Sequence, residues 1–76
     1  MKLNELPFGR IARVSGIESA TVELEAKLRE VGFAEGDEVE MLNHGPFRGR
    51  TLSVRLNRSI IALRGSEAAL IEVDLL

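Results

Sequence analysis

Cysteine is absent from the chain, which excludes a disulfide framework and any thiolate metal site and suits a reducing cytosol. Tryptophan and tyrosine are absent too, and phenylalanine is scarce, so few side chains are available to stack on bases. No apolar run approaches ~20 residues, and the N-terminus MKLNELPFGR lacks the apolar centre of a signal peptide. Membrane spanning and secretion are therefore disfavoured, and a cytoplasmic location is expected. A single histidine, His44, and two methionines, Met1 and Met41, are too few soft ligands for a dedicated iron or zinc site. No metal and no cofactor is expected. Hydroxyl side chains are plentiful, but with one histidine among them they form no nucleophile and base pair. The stretch HGPFRGR has the glycines of a phosphate loop without its lysine and hydroxyl. The chain does not read as an enzyme.

What is present suits one small folded unit. A chain of 76 residues builds a single core, so residues 1–76 form one domain, and 45% apolar with 29% charged residues is ordinary for a globular protein. The net charge is −2, but the signs are unevenly spread: acidic residues dominate the first half, whereas Arg48, Arg50, Arg55, Arg58 and Arg64 crowd the second. The acidic whole and the lack of stacking aromatics argue against nucleic acid. The close-set carboxylates Glu35, Asp37, Glu38 and Glu40 read as a solvated face.

The apolar pattern predicts a first strand in PFGRIARVSGI and one long helix from about Ser19 to Val31. Its apolar stripe is Leu24, Leu28 and Val31, and Glu23/Lys27 and Glu25/Arg29 are pairs on its wet side. Four strands follow, in EVEML, TLSVRL, SIIAL and LIEV, with a tight connection at Asn57 and Arg58 and a single helical turn capped by Ser66. Between helix and second strand, Gly32 reads as the left-handed residue of a Schellman helix end, which brings Leu28 and Phe33 together; Gly36 turns the chain again, aiming Val39 and Met41 at the core. The fold class is a small mainly-β domain, an SH3-like partly open barrel of about five strands with one helix between the first two and a short helical turn before the last. An OB-like barrel is the alternative.

The loop NHGPFRGR is the expected contact element. It holds Pro46 to stiffen it, glycines to bend it, and Phe47 where no strand period calls for burial; the alternative is that Phe47 folds back to cover one end of the barrel. The expected partner groove is bordered by His44, Phe47, Arg48 and Arg50 and by the basic strand carrying Arg55.

In order, LPFGRIARV, LEAKLREVGFAEGDEVEML and GPFRGRTLSVRLNRSIIALRGSEAALIEV resemble the ferrous iron transport protein A family, FeoA, over nearly the whole chain. The most specific parts are the corner carried by Leu28, Glu30, Val31, Gly32, Phe33, Gly36, Asp37 and Val39, and the ending from Ile61 to Val73. The resemblance implies a cytosolic SH3-like accessory that binds FeoB, the membrane ferrous iron transporter, at its GTP-binding cytosolic part. It implies no membrane insertion; a weak homo-oligomer stays open. Similar domains end iron-dependent repressors, where they follow a helix-turn-helix part not found in this stretch. A repressor-type nucleic-acid-binding barrel and a GTPase-activating regulator, with Arg48 or Arg50 as an arginine finger, are the alternatives.

Overall fold

The structure is a computed structural model that describes residues 1–18, 21–45 and 50–76. A 3-10 turn at Leu3–Glu5 opens the chain, followed by β1 (Ile11–Ile17), helix α1 (Val22–Val31), β2 (Glu38–Asn43), β3 (Thr51–Leu56), β4 (Ser59–Arg64), helical turn α2 (Gly65–Ala68) and β5 (Ile71–Leu75). The strands form one antiparallel sheet in the order β4-β3-β2-β1-β5. These are the five strands, the helix after the first of them and the short turn before the last that the apolar pattern predicts.

β1 serves both halves of the sheet. Its first residues pair with β2, as Ile11 with Glu40 and Arg13 with Glu38, while Ala12 to Ile17 run along β5. A register shift between Val14 and Gly16, and another in β2 between Met41 and Asn43, bend these strands and increase their twist, which curls the sheet into a partly open barrel. The concave face holds Ala12, Val14, Val39, Met41, Leu52, Val54, Leu56, Leu63, Ile71 and Val73, all buried. Leu52, Val54 and Leu56 alternate with half-exposed and exposed neighbours, the period of two legible in TLSVRL.

Among the described residues Phe33 is the largest fully buried side chain, and the corner before it sets its position. Gly32 has φ 127°, its N–H donates to the Arg29 carbonyl at 3.1 Å, and the Phe33 N–H donates to the Leu28 carbonyl at 3.2 Å. These are the two bonds of a Schellman end, and Leu28 and Phe33 both lie in the core. The corner then locks onto β1: the Gly36 N–H donates to the Val14 carbonyl and the Val14 N–H to the Asp37 carbonyl, each at 2.8 Å.

Four local expectations change. The helix cap is Thr21, whose hydroxyl accepts from the Leu24 N–H at 3.2 Å; Ser19, where the helix was expected to begin, lies outside the described residues. The helix is thinly docked, with only Leu28 fully buried and Val31 exposed, because the helix axis lets one residue of the expected stripe reach the barrel while the glycine turn carries the chain away beside Val31. Lys27 pairs with Glu67 of α2 at 3.0 Å and not with Glu23, since a cross-chain carboxylate already fixed by a second bond costs less side-chain entropy to engage. That second bond also displaces the cap from Ser66: α2 begins after Arg64, whose N–H donates to Glu67 Oε1 at 2.9 Å.

Gly32→Val should destabilise the domain by more than ~1 kcal/mol, because a β-branched residue is strained at positive φ. A thermal or urea melt checks this, and a wild-type midpoint would contradict it.

Candidate functional site

The expected binding elements separate into two regions. At one end of the β2–β3 hairpin, His44 is half-buried, and its Nε2 lies 2.8 Å from the Leu6 carbonyl oxygen. A carbonyl only accepts, so Nε2 carries the proton and donates. The ring therefore ties the start of the connection to the N-terminal 3-10 turn. The bond has a clear cause: Leu6 is itself in the core, and its carbonyl needs a partner.

Gly45 continues this end. Its N–H donates to Asn43 Oδ1 at 2.7 Å, φ is 76°, and a Cβ here would overlap the Thr51 carbonyl oxygen, so the backbone passes too close to β3 for any other residue. Pro46, Phe47 and Arg48 lie outside the described residues. Arg50 is exposed at the far side of the connection, with its carbonyl accepting from the Gly65 N–H at 2.9 Å.

Arg55 is not beside His44. It faces Glu40 across the β2–β3 ladder, at 3.1 Å, near the opposite end of the hairpin. There it helps line a shallow open depression of about 430 Å³ formed with Ile11, Gly36, Asp37, Glu38, Val39, Glu40 and Asn57. The grouping of Arg55 with the His44 end is therefore corrected. Arg55 follows the outward face of β3 to the residue opposite Glu40, several residues up the strand from the loop.

The carboxylates expected to form a solvated face are largely exposed, and most of them are also paired. Arg13 meets Glu38 at 3.4 Å, Arg55 meets Glu40, and Arg29 meets both Glu25 at 3.0 Å and Glu35 at 2.9 Å. The two guanidinium bonds from Arg29, followed by a backbone hydrogen bond within Glu35, push the Glu35 carboxyl down to about 2. This pair spans the Gly32 corner, joining the last turn of α1 to the bend before β2. At the other side of the barrel, Lys2 bonds to Glu72 and Glu18 and holds the Glu72 carboxyl below its usual range.

Among the described residues, no three histidine, aspartate or glutamate side chains converge to hold a metal ion, and Met41 is fully buried in the core. Sequence reasoning missed the exposed apolar side chains Phe8, Val22 and Ile60, at 73%, 82% and 67% exposure. Ile60 was detectable in principle: in SIIAL, a strict alternation places either Ile60 or Ile61 outside, and the hairpin register decides for Ile60.

The Glu35 shift has a sign that can be checked. A carboxylate held low stabilises the folded state fully above its unfolded pKa, and this contribution is lost as pH falls through about 2. In Arg29→Gln, the carboxyl of Glu35 should titrate higher, toward the ordinary ~4.3, and the folded state should lose less stability than wild type between pH 5 and pH 2. Carbon-detected NMR titration reads the first and acid melts the second; an unmoved Glu35 midpoint would contradict the assignment to Arg29.

The FeoA domain model matches residues 1–75. A Campylobacter jejuni subsp. jejuni protein named as an Fe(2+) transport protein A is 34% identical over 76 residues, covering 100% of both chains. Among solved structures, the FeoA of Stenotrophomonas maltophilia complexed with zinc, described as an SH3 domain protein, is 38% identical and superposes with a TM-score of 0.84. That match covers 97% of this chain and 89% of that one. A manganese-dependent transcriptional repressor superposes at 0.90 with 20% identity, over 100% of this chain and 41% of its own, which is a likeness of fold alone. With a family match that runs from the first residue to the penultimate one, and an SH3-like barrel to go with it, the chain belongs to the FeoA family.

Proposed function

We propose that this protein is a non-enzymatic accessory of ferrous iron transport, acting in the cytoplasm, that binds and modulates the membrane transporter FeoB through its GTP-binding cytosolic part. The observation that carries the reading is the end-to-end correspondence with a protein named for Fe(2+) transport. The chemistry of the surface supports it. The described carboxylates near the corner are mostly held by arginines, and the one histidine is engaged by a backbone carbonyl. These groups are occupied in maintaining the frame, which leaves surfaces for contact. No helix is long and apolar enough to cross a membrane, so contact with a transporter would be made by the barrel's exterior.

The contact loop is taken to be residues 43–50, with Phe47 as its apolar anchor, stiffened by Pro46, and Arg48 and Arg50 as its rim. A GTPase-activating role is the second reading, favoured by the exposed Arg50, which has no ion-pair partner among the described residues. An arginine supplied in trans can stabilise the charge of a phosphoryl-transfer transition state.

Phe47→Ala should weaken binding to the transporter's soluble GTP-binding part by roughly 1 to 3 kcal/mol, as for an aromatic anchor, while Arg48→Ala should chiefly slow association and reduce its salt dependence. Calorimetric titration and stopped-flow mixing separate the two effects. A Phe47→Ala domain that melts and binds like wild type would eliminate this loop as the anchor and shift attention to the α1 face around Glu23, Lys27 and Glu30. For iron itself, an anaerobic titration of the isolated domain should show no stoichiometric submicromolar Fe²⁺ binding, and observing such binding would overturn the accessory reading in favour of a metal-carrying one.

A further inference from the structure

The sheet has two edges, and the chain treats them differently. β5 is covered: Val73 N–H donates to the Met1 carbonyl at 2.8 Å, the Met1 amine donates back to Val73 at 3.1 Å, and Lys2 bridges to Glu72. The N-terminal residues act as a short extra strand. Among the described residues, β4 has no such cover.

Register shows which of its backbone groups are free. The Gly65 N–H donates to the Arg50 carbonyl, and in an antiparallel ladder alternate residues exchange their bonds with the same neighbour. Ser59, Ile61 and Leu63 therefore face β3, opposite Leu56, Val54 and Leu52, while Ile60, Ala62 and Arg64 direct their groups outward. The Arg64 N–H is taken by Glu67. Ile60 and Ala62 are left with both N–H and C=O pointing away from the sheet, exposed and without a hydrogen-bond partner among the described residues.

The charges on this edge select its occupant. Arg58 and Arg64 flank the free segment, both are exposed, neither forms an ion pair among the described residues, and no carboxylate lies on β4. A second copy is a poor fit. The antiparallel register that uses the free groups of both copies pairs Ile60 with Ala62 and therefore sets Arg58 against Arg64 at each end, where like charges repel. We propose that the β4 edge accepts an extended segment of a partner protein as a sixth strand, apolar at the positions facing Ile60 and Ala62 and carrying a carboxylate at each end to meet Arg58 and Arg64. This site goes beyond the transporter reading and does not depend on which protein supplies the segment.

The probe is the acetylated and amidated peptide Glu-Thr-Val-Thr-Val-Thr-Glu, compared with the same peptide ending in lysines, titrated into ¹⁵N-labelled protein. The glutamate peptide should bind roughly tenfold or more tightly than the lysine one, the difference expected for two ion pairs exchanged for two repulsions. The Ile60 and Ala62 amides should shift most and exchange more slowly with solvent. The doubly substituted Arg58→Glu, Arg64→Glu protein should stay folded, with a melting midpoint lowered slightly by repulsion between position 64 and Glu67, and reverse the preference. Shifts centred elsewhere, equal affinity for both peptides, no binding of either, or an unreversed preference would overturn the proposal. So would Ile60 and Ala62 signals that move with protein concentration alone, which would make the edge a self-association surface.

Discussion

Phe33, the largest buried side chain among the described residues, reaches the core through a turn at Gly32, whose φ of 127° suits a residue without a side chain. The helix has to stop, reverse and deliver Phe33 inward within two residues. The Schellman bonds from Gly32 and Phe33 satisfy the last carbonyls of α1 while this happens. The same turn then places Gly36 and Asp37 against Val14, which fixes where β2 enters the sheet and hence the registry of the β2–β3 and β3–β4 ladders beyond it. Arg29 and Glu35 close over the outside of the turn. In a chain with a single core, an error at this corner would displace every later strand, and truncating Phe33 itself would remove ~3 to 5 kcal/mol from a small total.

A frame built in this way leaves function to its rim. Barrels of this kind serve many roles, so the fold does not choose among them, and family membership narrows the choice to ferrous iron transport without naming a contact. The surface is not uniform. The corner side presents arginines and carboxylates already matched to one another around a shallow depression, and such exposed pairs contribute little individually to stability. At the β4 edge, Arg58 and Arg64 form no ion pair among the described residues and lie beside open backbone groups. The thinly docked α1 adds an exposed Val22 at one side. Under the proposed reading, recognition of another chain would draw on these differences.

Much of this frame could be read from the residues. The alternation of Leu52, Val54 and Leu56 and the glycine after a helical stripe are local signals, because sheet pleat and helix termination each depend on a few consecutive residues. What escaped was set by contacts distant in the chain. Lys27 finds Glu67 forty positions away, His44 finds the Leu6 carbonyl, and Met1 and Lys2 cover β5; no spacing rule announces any of them. The cap of α2 was misplaced by a similar effect on a smaller scale. Ser66 is the better capping residue by type, but Glu67 reaches back to the Arg64 N–H, and that bond starts the turn two residues earlier. The candidate site was the least legible part. Whether an outward side chain joins one surface or another depends on how strands curl, and Arg55 went to the corner depression through strand register alone.

The claim on which the rest turns is that this barrel holds a partner in ferrous iron transport. Affinity capture of the tagged protein from iron-starved cells, with partners identified by mass spectrometry, addresses it directly. The account predicts recovery of a large membrane GTPase, lost when the tagged protein is denatured before capture; capture that returns nucleic acid or no membrane GTPase at all would contradict it.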